Sequence, residues 1–287
     1  MLKFALIGYP LGHSVSKEIH EAGFKSLGVD ASYELLEVVE ENFIEAVKYL
    51  KSNNYSGFNV TIPYKVKIAM FTDEFDKNAD MAGAVNTIKL NYGGGFSGYN
   101  TDIEGFLRAI PDSSLLYDAN ATIIGTGGAA RAVTIGCIKA GVKKIDFYTR
   151  NIPNALEFVN YFRNLSPNTE FVLNQIETLS DLSDTDMLVN ATPVGMKGHS
   201  ADSMPISSDV LATMKKDSLV YDLVYNPTET LLLKTAQKLG LNVISGLDML
   251  VYQAVEAQII WFGKVPEFSS MKSAAEKSLN RYEIDFM

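Results

Sequence analysis

The segment "ATIIGTGGAARAVTIGCIKAG" constrains the fold of this 287-residue chain more than any other stretch. An apolar, β-branched run leads into a turn that contains Gly125, Gly127 and Gly128, and an alanine-rich helical pattern follows. Glycine lets such a turn tighten, and it lets backbone N–H groups at a helix N-terminus approach a pyrophosphate. The pattern carries Ala132 where the more familiar motif has a third glycine. It predicts the first strand, turn and helix of a dinucleotide-binding unit. The alternative is a tight strand-to-helix turn that binds no nucleotide.

Strand and helix patterns alternate on both sides of this turn. Downstream, the alternation predicts a Rossmann domain with a doubly wound parallel sheet over residues 103–246. Upstream, the runs "KFALIG", "ASYELLEV" and "YSGFNVTI" alternate with amphipathic helices, which predicts a first α/β domain on a mostly parallel sheet over residues 1–102. We place the domain hinge in the glycine-rich "NYGGGFSGYNTD" or just after it. Residues 247–287 are helical by periodicity, and the pattern alone lets them pack against either domain.

Composition excludes several classes of function. With 47% hydrophobic and 21% charged residues and a net charge of -9, the chain is an ordinary globular protein with neither nucleic acid nor an anionic membrane as its main partner. No apolar run is long enough to span a membrane, and no secretion signal is evident. The single cysteine, Cys137, and the scattered His13, His20 and His199 predict no disulfide and no metal site. These features suit a reducing cytoplasm.

The end of the strand after the glycine turn indicates which dinucleotide is bound. An NAD site there usually offers an acidic side chain to the ribose 2′-OH, whereas this chain has Thr149, Arg150 and Asn151. Asp146 lies at the start of this strand rather than at its end. An arginine can bind a 2′-phosphate through two hydrogen bonds, so the segment favours NADP. An exposed arginine without a ligand is the alternative.

Polar residues gather where the upstream strands end. They are Asn59, Thr61 and Lys65 in "GFNVTIPYK", Asn86 in "GAVNTI", and Asn100, Thr101 and Asp102 in "GYNTD". A nicotinamide enzyme needs a proton donor and acceptor beside the transferred hydride, and Lys65 with Asp102 is the better candidate pair because no histidine has an obvious acidic neighbour. Alternatively, Lys65 is a surface lysine, and Thr101 or Asp102 caps the helix "IEGFLRAI".

Two serines stand where the first strand meets the first helix, in "GYPLGHSVSKEIH". The simplest interpretation makes Ser16 the N-cap of that helix and Ser14 an ordinary loop residue. Two hydroxyls beside a helix N-terminus are also suited to binding a carboxylate, and capping is compatible with that role.

Eight segments, in order, resemble the shikimate dehydrogenase family, and the resemblance runs from about residue 4 to residue 263. They are "GYPLGHSVSKEIH", "GFNVTIPYK", "GAVNTI", "GYNTD", "GTGGAARA", "NATPVGM", "DLVYNPTET" and "GLDMLVYQA". The chain departs from the family's usual first segment at Lys17, where proline is common, and at Glu21, where asparagine is common. Proline favours helix entry but is not required there, so the departure concerns the helix start rather than the chemistry.

The resemblance implies specific roles for the residues of these segments. Lys65 and Asp102 would be the catalytic pair. The substrate would be held by Ser14 and Ser16 at its carboxylate and by Thr61, Asn86 and Gln253 at its hydroxyls, with Asn59 and Tyr225 nearby. NADP would be held by the glycine turn (Gly125, Thr126, Gly127, Gly128 and Ala129), by Thr149, Arg150 and Asn151, and by Leu223 and Gly246 beside the nicotinamide. Because Gln253 would have to reach the substrate, residues 247–287 are predicted to join the first domain.

The implied reaction is the reversible, NADP-dependent reduction of 3-dehydroshikimate to shikimate. Two alternatives stay open: a quinate/shikimate dehydrogenase that uses NAD, and a non-catalytic sensor of shikimate and nucleotide. Arg150 favours the NADP-dependent enzyme over the one that uses NAD, and the presence of both Lys65 and Asp102 favours an enzyme over a sensor. The sequence does not determine whether the chain forms a homodimer.

Overall fold

The computed structural model of the chain describes residues 1–198 and 200–284, with side chains described as far as residue 280. It divides into two compact units. The first comprises Met1–Gly105 and the described residues from Val251 onward, and the second comprises Phe106–Leu250.

Strands and helices alternate along most of the chain. The strands are β1 (Leu2–Gly8), β2 (Ala31–Glu37), β3 (Gly57–Val60), β4 (Glu74–Phe75), β5 (Thr87–Leu90), β6 (Phe96–Tyr99), β7 (Asn120–Ile124), β8 (Lys144–Thr149), β9 (Glu170–Gln175), β10 (Met187–Asn190), β11 (Leu219–Asp222) and β12 (Asn242–Ser245). The helices are α1 (Ser16–Leu27), α2 (Phe43–Ser52), α3 (Lys77–Ala82), α4 (Asp102–Ala109), α5 (Gly128–Ala140), α6 (Ile152–Leu165), α7 (Ser208–Leu211), α8 (Leu231–Lys238), α9 (Gly246–Phe262) and α10 (Phe268–Ile284). The α/β fold class is confirmed.

The first unit contains a mixed sheet with the strand order β2-β1-β3-β5-β6-β4. Strands β2, β1 and β3 are parallel, whereas β5 is antiparallel to both β3 and β6. Because β4 is parallel to β6, five of the six strands run in one direction and only β5 is reversed, so the predicted mostly parallel sheet is confirmed. The reversal of β5 follows from its short connection to β6, since two strands joined by a tight turn run antiparallel.

The glycine-rich segment forms the turn of this hairpin and β6, and it ends at Asp102, shortly before the boundary after Gly105. Gly93 and Gly94 have positive φ angles of 101° and 88° in the turn, and Asn91 N donates to Gly95 O across it at 2.9 Å. Gly98 belongs to β6, where a Cβ would lie 2.7 Å from Thr72 Cγ2. Close packing of the strand therefore requires glycine at that position.

The second unit contains an entirely parallel sheet with the order β12-β11-β10-β7-β8-β9. This is the doubly wound order in which the chain turns back between the first and fourth strands, here β7 and β10. Ligands of such sheets bind beyond the carboxyl ends of the strands at that point. The glycine turn after β7 lies there, and the predicted Rossmann topology is confirmed.

The chain passes between the units inside two helices. The first crossing follows Gly105 within α4, and the second follows Leu250 within α9. The predicted domain ends, residues 102 and 246, lie slightly earlier and coincide with the first residues of these two helices. Polar residues and glycines in a sequence mark where a helix begins. They do not mark the residue at which the chain stops packing in one unit and starts packing in the other, which accounts for the difference.

Each unit has its own apolar core. In the first unit, one cluster includes Phe43, Phe58 and Ile88, and a second gathers aromatic rings including Phe4 and Trp261. One core cluster of the second unit is built from aliphatic side chains of the parallel strands and of α8. No helix in the described part of the chain is long and apolar enough to cross a membrane.

Candidate active site

Lys65 and Asp102 form a close ion pair in the first unit. Lys65 Nζ lies 2.6 Å from Asp102 Oδ2, and the two side chains are 16% and 9% exposed. Lys65 is therefore not a surface lysine. It follows β3, and its carbonyl oxygen accepts a hydrogen bond from Val85 N at 2.7 Å. Asp102 is the first residue of α4, where the helix dipole favours a negative charge. Partial burial strengthens the attraction, because the pair is poorly screened by water.

Asn86 fixes the other oxygen of the aspartate. Its Nδ2 donates to Asp102 Oδ1 at 2.8 Å, and its Oδ1 accepts from the backbone N of Thr101 at 2.8 Å. Both carboxylate oxygens of Asp102 are therefore engaged by side chains from other elements. Thr101 Oγ1 also lies 3.2 Å from Asn86 Oδ1, so Thr101 and Asp102 do more than begin a helix.

Gln253 and Thr61 extend the same part of the first unit. Gln253, on α9, accepts from Thr101 Oγ1 at 3.5 Å. Thr61 follows β3, and its backbone N donates to Ile7 O at 2.9 Å. A Cβ at Gly8 would clash with Thr61 Cγ2, so the loops after β1 and β3 are directly adjacent. The loop that carries Ser14 follows β1 directly, so it begins at this carboxyl end of the strands.

Asn59 occupies a different position from the other polar residues. It is only 5% exposed on β3, where its Oδ1 accepts from Tyr33 and its Nδ2 donates to Asn86 O and Thr87 Oγ1. Its hydrogen-bonding groups are thus used within the sheet. Tyr33 and Thr87 were not singled out by the sequence, because a buried tyrosine and threonine in strands are ordinary core residues.

Ser14 and Ser16 lie side by side at the start of α1. Ser14 Oγ lies 3.1 Å from Ser16 Oγ and accepts from Ser16 N at 3.3 Å. The helix begins at Ser16, its N-cap residue is Val15, and Val15 provides no side-chain cap. The prediction that Ser16 caps the helix is therefore wrong. Ser14 satisfies the first free N–H group instead, which keeps both hydroxyls at the helix N-terminus.

The glycine turn of the second unit leaves space in front of α5. Gly125 has a φ of +99°, and a Cβ there would lie 2.9 Å from Thr192 Cγ2, so only glycine fits. At Gly127 and Gly128, by contrast, a Cβ would meet nothing within 4 Å. Gly127 is the N-cap of α5 and provides no side chain there. An open helix N-terminus of this kind fits a pyrophosphate, and Thr126 and Ala129 belong to the same turn.

The segment after β8 lies beside that turn, since β7 and β8 are neighbouring parallel strands. Thr149 Oγ1 accepts from Asn151 N at 3.3 Å, and Asn151 Oδ1 caps α6 by accepting from Asn154 N at 3.2 Å. Arg150 is exposed. Its carbonyl oxygen accepts from Gln175 at 3.3 Å, so the backbone is held at this position.

Leu223 and Gly246 meet at the ends of β11 and β12. A Cβ on Gly246 would clash with Leu223 O, which excludes any larger residue. The preceding Asp222 is completely buried and accepts from Thr230 Oγ1 at 2.6 Å and from Asn190 Nδ2 at 2.9 Å. Burial raises the pKa of Asp222 to about 6 despite these hydrogen bonds. The sequence showed Asp222 only as part of the "DLVYNPTET" segment.

The structure thus brings together five of the nine predicted catalytic and substrate residues. One hydrogen-bonded network contains Lys65, Asp102, Asn86, Asn59 and Gln253. Ser14, Ser16 and Thr61 belong to the same unit, where the two serines bond to each other and Thr61 N bonds to Ile7 O. Tyr225 lies after β11 in the second unit, with the predicted NADP residues.

No metal-binding cluster of His, Cys, Asp and Glu occurs among the described residues. Cys137 is buried in α5, where burial raises the pKa of its thiol to about 12. His20 is buried and His13 is exposed, and His199 lies outside the described residues.

The doubly wound sheet and its glycine turn define a dinucleotide-binding α/β protein, and comparison with known proteins narrows this class. Residues 6–88 match the family described as the shikimate dehydrogenase substrate binding domain, and residues 246–276 match the shikimate 5'-dehydrogenase C-terminal domain. A relative from Halothermothrix orenii, named shikimate dehydrogenase (NADP(+)), is 38% identical and covers 91% of each chain. The chain belongs to the shikimate dehydrogenase family, as the sequence motifs predicted.

Two solved structures show how far the similarity extends. A shikimate 5-dehydrogenase from Thermus thermophilus, in complex with NADP(H) and shikimate, is 31% identical with a TM-score of 0.84 over 97% of this chain and 100% of that chain. A quinate dehydrogenase from Corynebacterium glutamicum, in complex with NAD, is 28% identical with a TM-score of 0.86 over 95% and 98%. Backbone similarity therefore does not separate the two substrates.

Proposed function

We propose that this chain catalyses the reversible, NADP-dependent reduction of 3-dehydroshikimate to shikimate, a step of aromatic amino-acid biosynthesis. The observation that carries the proposal is the 2.6 Å contact between Lys65 Nζ and Asp102 Oδ2. Relatives named shikimate dehydrogenase (NADP(+)), among them one from Methanobrevibacter smithii at 36% identity, support this substrate and cofactor.

The reaction requires a residue of this chain to donate and accept a proton. Bound NADPH supplies the hydride for the C3 carbonyl carbon, and the carbonyl oxygen must gain a proton as its double bond is reduced. Lys65 donates that proton from Nζ and takes it back in the oxidative direction. Asp102, which only accepts hydrogen bonds when ionised, orients Nζ and a substrate hydroxyl.

The remaining polar residues of the first unit hold the substrate in this proposal. Ser14 and Ser16 bind the carboxylate through neutral hydroxyl donors beside the helix N-terminus. Thr61, Asn86 and Gln253 bind the ring hydroxyls. Asn59 acts behind them from β3, where its amide is hydrogen-bonded to Tyr33, Asn86 and Thr87. Tyr225 completes the set of substrate residues in this proposal.

NADP binds to the second unit in this proposal. The N-terminus of α5, left open at Gly127 and Gly128, fits the pyrophosphate. Arg150 provides the positive charge for the 2′-phosphate, with Thr149 and Asn151 beside it. The remaining cofactor residues are Gly125, Thr126 and Ala129 in the turn, and Leu223 and Gly246 by the nicotinamide.

We further propose that the enzyme acts in the cytoplasm. Its oligomeric state, monomer or homodimer, needs a separate measurement. A single buried cysteine suits a reducing compartment. Light scattering of the purified protein at several concentrations distinguishes the two oligomeric states.

The test of function is the absorbance of NADPH during incubation with shikimate and NADP, repeated with quinate and with NAD. We expect the highest kcat/KM for the shikimate and NADP pair. Preference for quinate with NAD would reassign the chain to quinate dehydrogenase chemistry. Binding of shikimate and NADP without any absorbance change would instead indicate a sensor.

A further inference from the structure

A chain of buried hydrogen bonds lies behind the proposed catalytic pair. Asn86, which donates to Asp102 Oδ1, accepts from the hydroxyl of Thr87 at 3.0 Å. Thr87 in turn accepts from Asn59 Nδ2 at 2.9 Å, and Asn59 Oδ1 accepts from the hydroxyl of Tyr33 at 2.7 Å. The chain runs from β2 through β3 and β5 to the start of α4.

Tyr33 fixes one end of this chain. It is 1% exposed, and its ring stacks on His20 at 4.3 Å with an interplanar angle of 6°. Burial raises the pKa of Tyr33 well above its ordinary value, so the hydroxyl keeps its proton and donates it. His20 is held in turn by Gln258, whose Nε2 donates to the His20 carbonyl oxygen at 3.0 Å.

The direction of each hydrogen bond agrees with that fixed donor, and two backbone groups, Asn86 O and Thr101 N, favour the same amide orientations of Asn59 and Asn86. Because Tyr33 donates to Asn59 Oδ1, the Asn59 amide turns its Nδ2 toward Thr87. Thr87 Oγ1 then accepts from Asn59, so its own proton is available for Asn86 Oδ1. With Oδ1 of Asn86 occupied, its Nδ2 faces Asp102. An asparagine amide has distinct ends, and a network of this kind selects one of its two orientations.

We propose that Tyr33 and Thr87 are positioning residues that hold Asp102, and through it Lys65, in the orientation for proton transfer. The side chain of Lys65 is hydrogen-bonded to Asp102 rather than to either of these residues. Thr87 is 0% exposed, so both act within the protein rather than on the substrate. The kinetic test of this inference rests on the proposed function, whereas the crystallographic test rests on the structure alone.

The kinetic test compares Thr87→Val, which removes the hydroxyl and keeps the shape, with Thr87→Ser, which keeps the hydroxyl. We expect Thr87→Val and Tyr33→Phe each to lower kcat about tenfold with little change in KM for shikimate, since a hydrogen bond acting on the transition state is lost. Thr87→Ser should recover most of kcat. Tyr55→Phe is the matched control, because Tyr55 donates to Glu34 at 2.8 Å and has no hydrogen bond to this chain of residues.

A fall in kcat with Tyr55→Phe equal to that with Tyr33→Phe, or no rescue by Thr87→Ser, would overturn the proposal in favour of general destabilisation. Absence of turnover in the wild-type protein would contradict the proposed function instead. In that case, a crystal structure of Thr87→Val tests the inference directly. We expect the hydrogen bond from Asn86 Nδ2 to Asp102 Oδ1 to lengthen or break, and an unchanged bond would refute it.

Discussion

Ser14 Oγ accepts a hydrogen bond from the backbone N of Ser16 at the first turn of α1, and their hydroxyl oxygens lie 3.1 Å apart. One serine thus serves the helix while both present hydroxyls at its N-terminus. A carboxylate that approaches this end would gain from two neutral donors and from the helix dipole.

We therefore expect Ser14→Ala and Ser16→Ala each to raise KM for shikimate by about tenfold, the contribution of one hydrogen bond to a charged group. The Kd for NADP should stay nearly unchanged. Steady-state kinetics and calorimetric titration measure these quantities. Lys17→Ala is the control, since Lys17 is exposed and lies 3.9 Å from Glu21 in a weak surface ion pair. Equal losses of shikimate and NADP binding would show that the serines support the fold instead.

Arg150 should determine the preference for NADP over NAD. Its side chain is exposed at the end of β8, beside the glycine turn. We expect Arg150→Ala to weaken NADP binding about 100-fold, because a charge-assisted contact with the 2′-phosphate is lost, and to leave NAD binding unchanged. Calorimetric titration with each nucleotide measures both constants, with the exposed Lys143→Ala as control. A parallel loss for both nucleotides would assign the 2′-phosphate to another residue.

His20 should make the first unit sensitive to acid. Burial lowers the pKa of its imidazole to about 3, whereas an unfolded histidine titrates near 6.5. Between these values the unfolded chain binds a proton that the folded chain does not, so stability falls as the pH decreases below about 6.5. At pH 4 the loss should amount to about 3 kcal/mol.

The single tryptophan, Trp261, provides the measurement, because its ring lies 5.3 Å from that of His20 in the first unit. Urea unfolding followed by its fluorescence at pH 7 and pH 4 gives the two free energies of unfolding. His20→Phe retains an aromatic ring against Tyr33 and cannot be protonated, so it should lose about 3 kcal/mol less than the wild type over this interval. Identical pH dependence in the two proteins would exclude His20 as the source.

The sequence predicted the second unit better than the first, and the reason is physical. Alternating apolar runs and a glycine turn specify a parallel doubly wound sheet almost completely, since connections in such sheets follow few rules. In the first unit, the sequence around Gly98 predicts a loop, but Gly98 lies in β6. Glycine is needed there because Thr72 and Val85 pack too closely to leave room for a Cβ atom. Tertiary contacts of this kind leave no local pattern.

The site was predictable only in part for a similar reason. Lys65 and Asp102 stand out because polar residues follow strands, and the family resemblance gave them their roles. Tyr33 and Thr87 carry no such mark, and their connection to Asp102 exists only once β2, β3 and β5 are assembled. Ser16 had the right residue type for an N-cap, but the helix starts one residue earlier than that role requires.

The most direct test of the central claim is the turnover of Lys65→Ala with shikimate and NADP, measured together with its Kd for shikimate. We expect kcat to fall by about 100- to 10,000-fold, the usual effect of losing a general acid–base group, while the Kd changes little. Lys67→Ala is the matched control, because Lys67 Nζ pairs with Glu40 Oε1 at 3.3 Å rather than with Asp102. This variant should retain wild-type kcat. Near-normal turnover by Lys65→Ala would contradict the account.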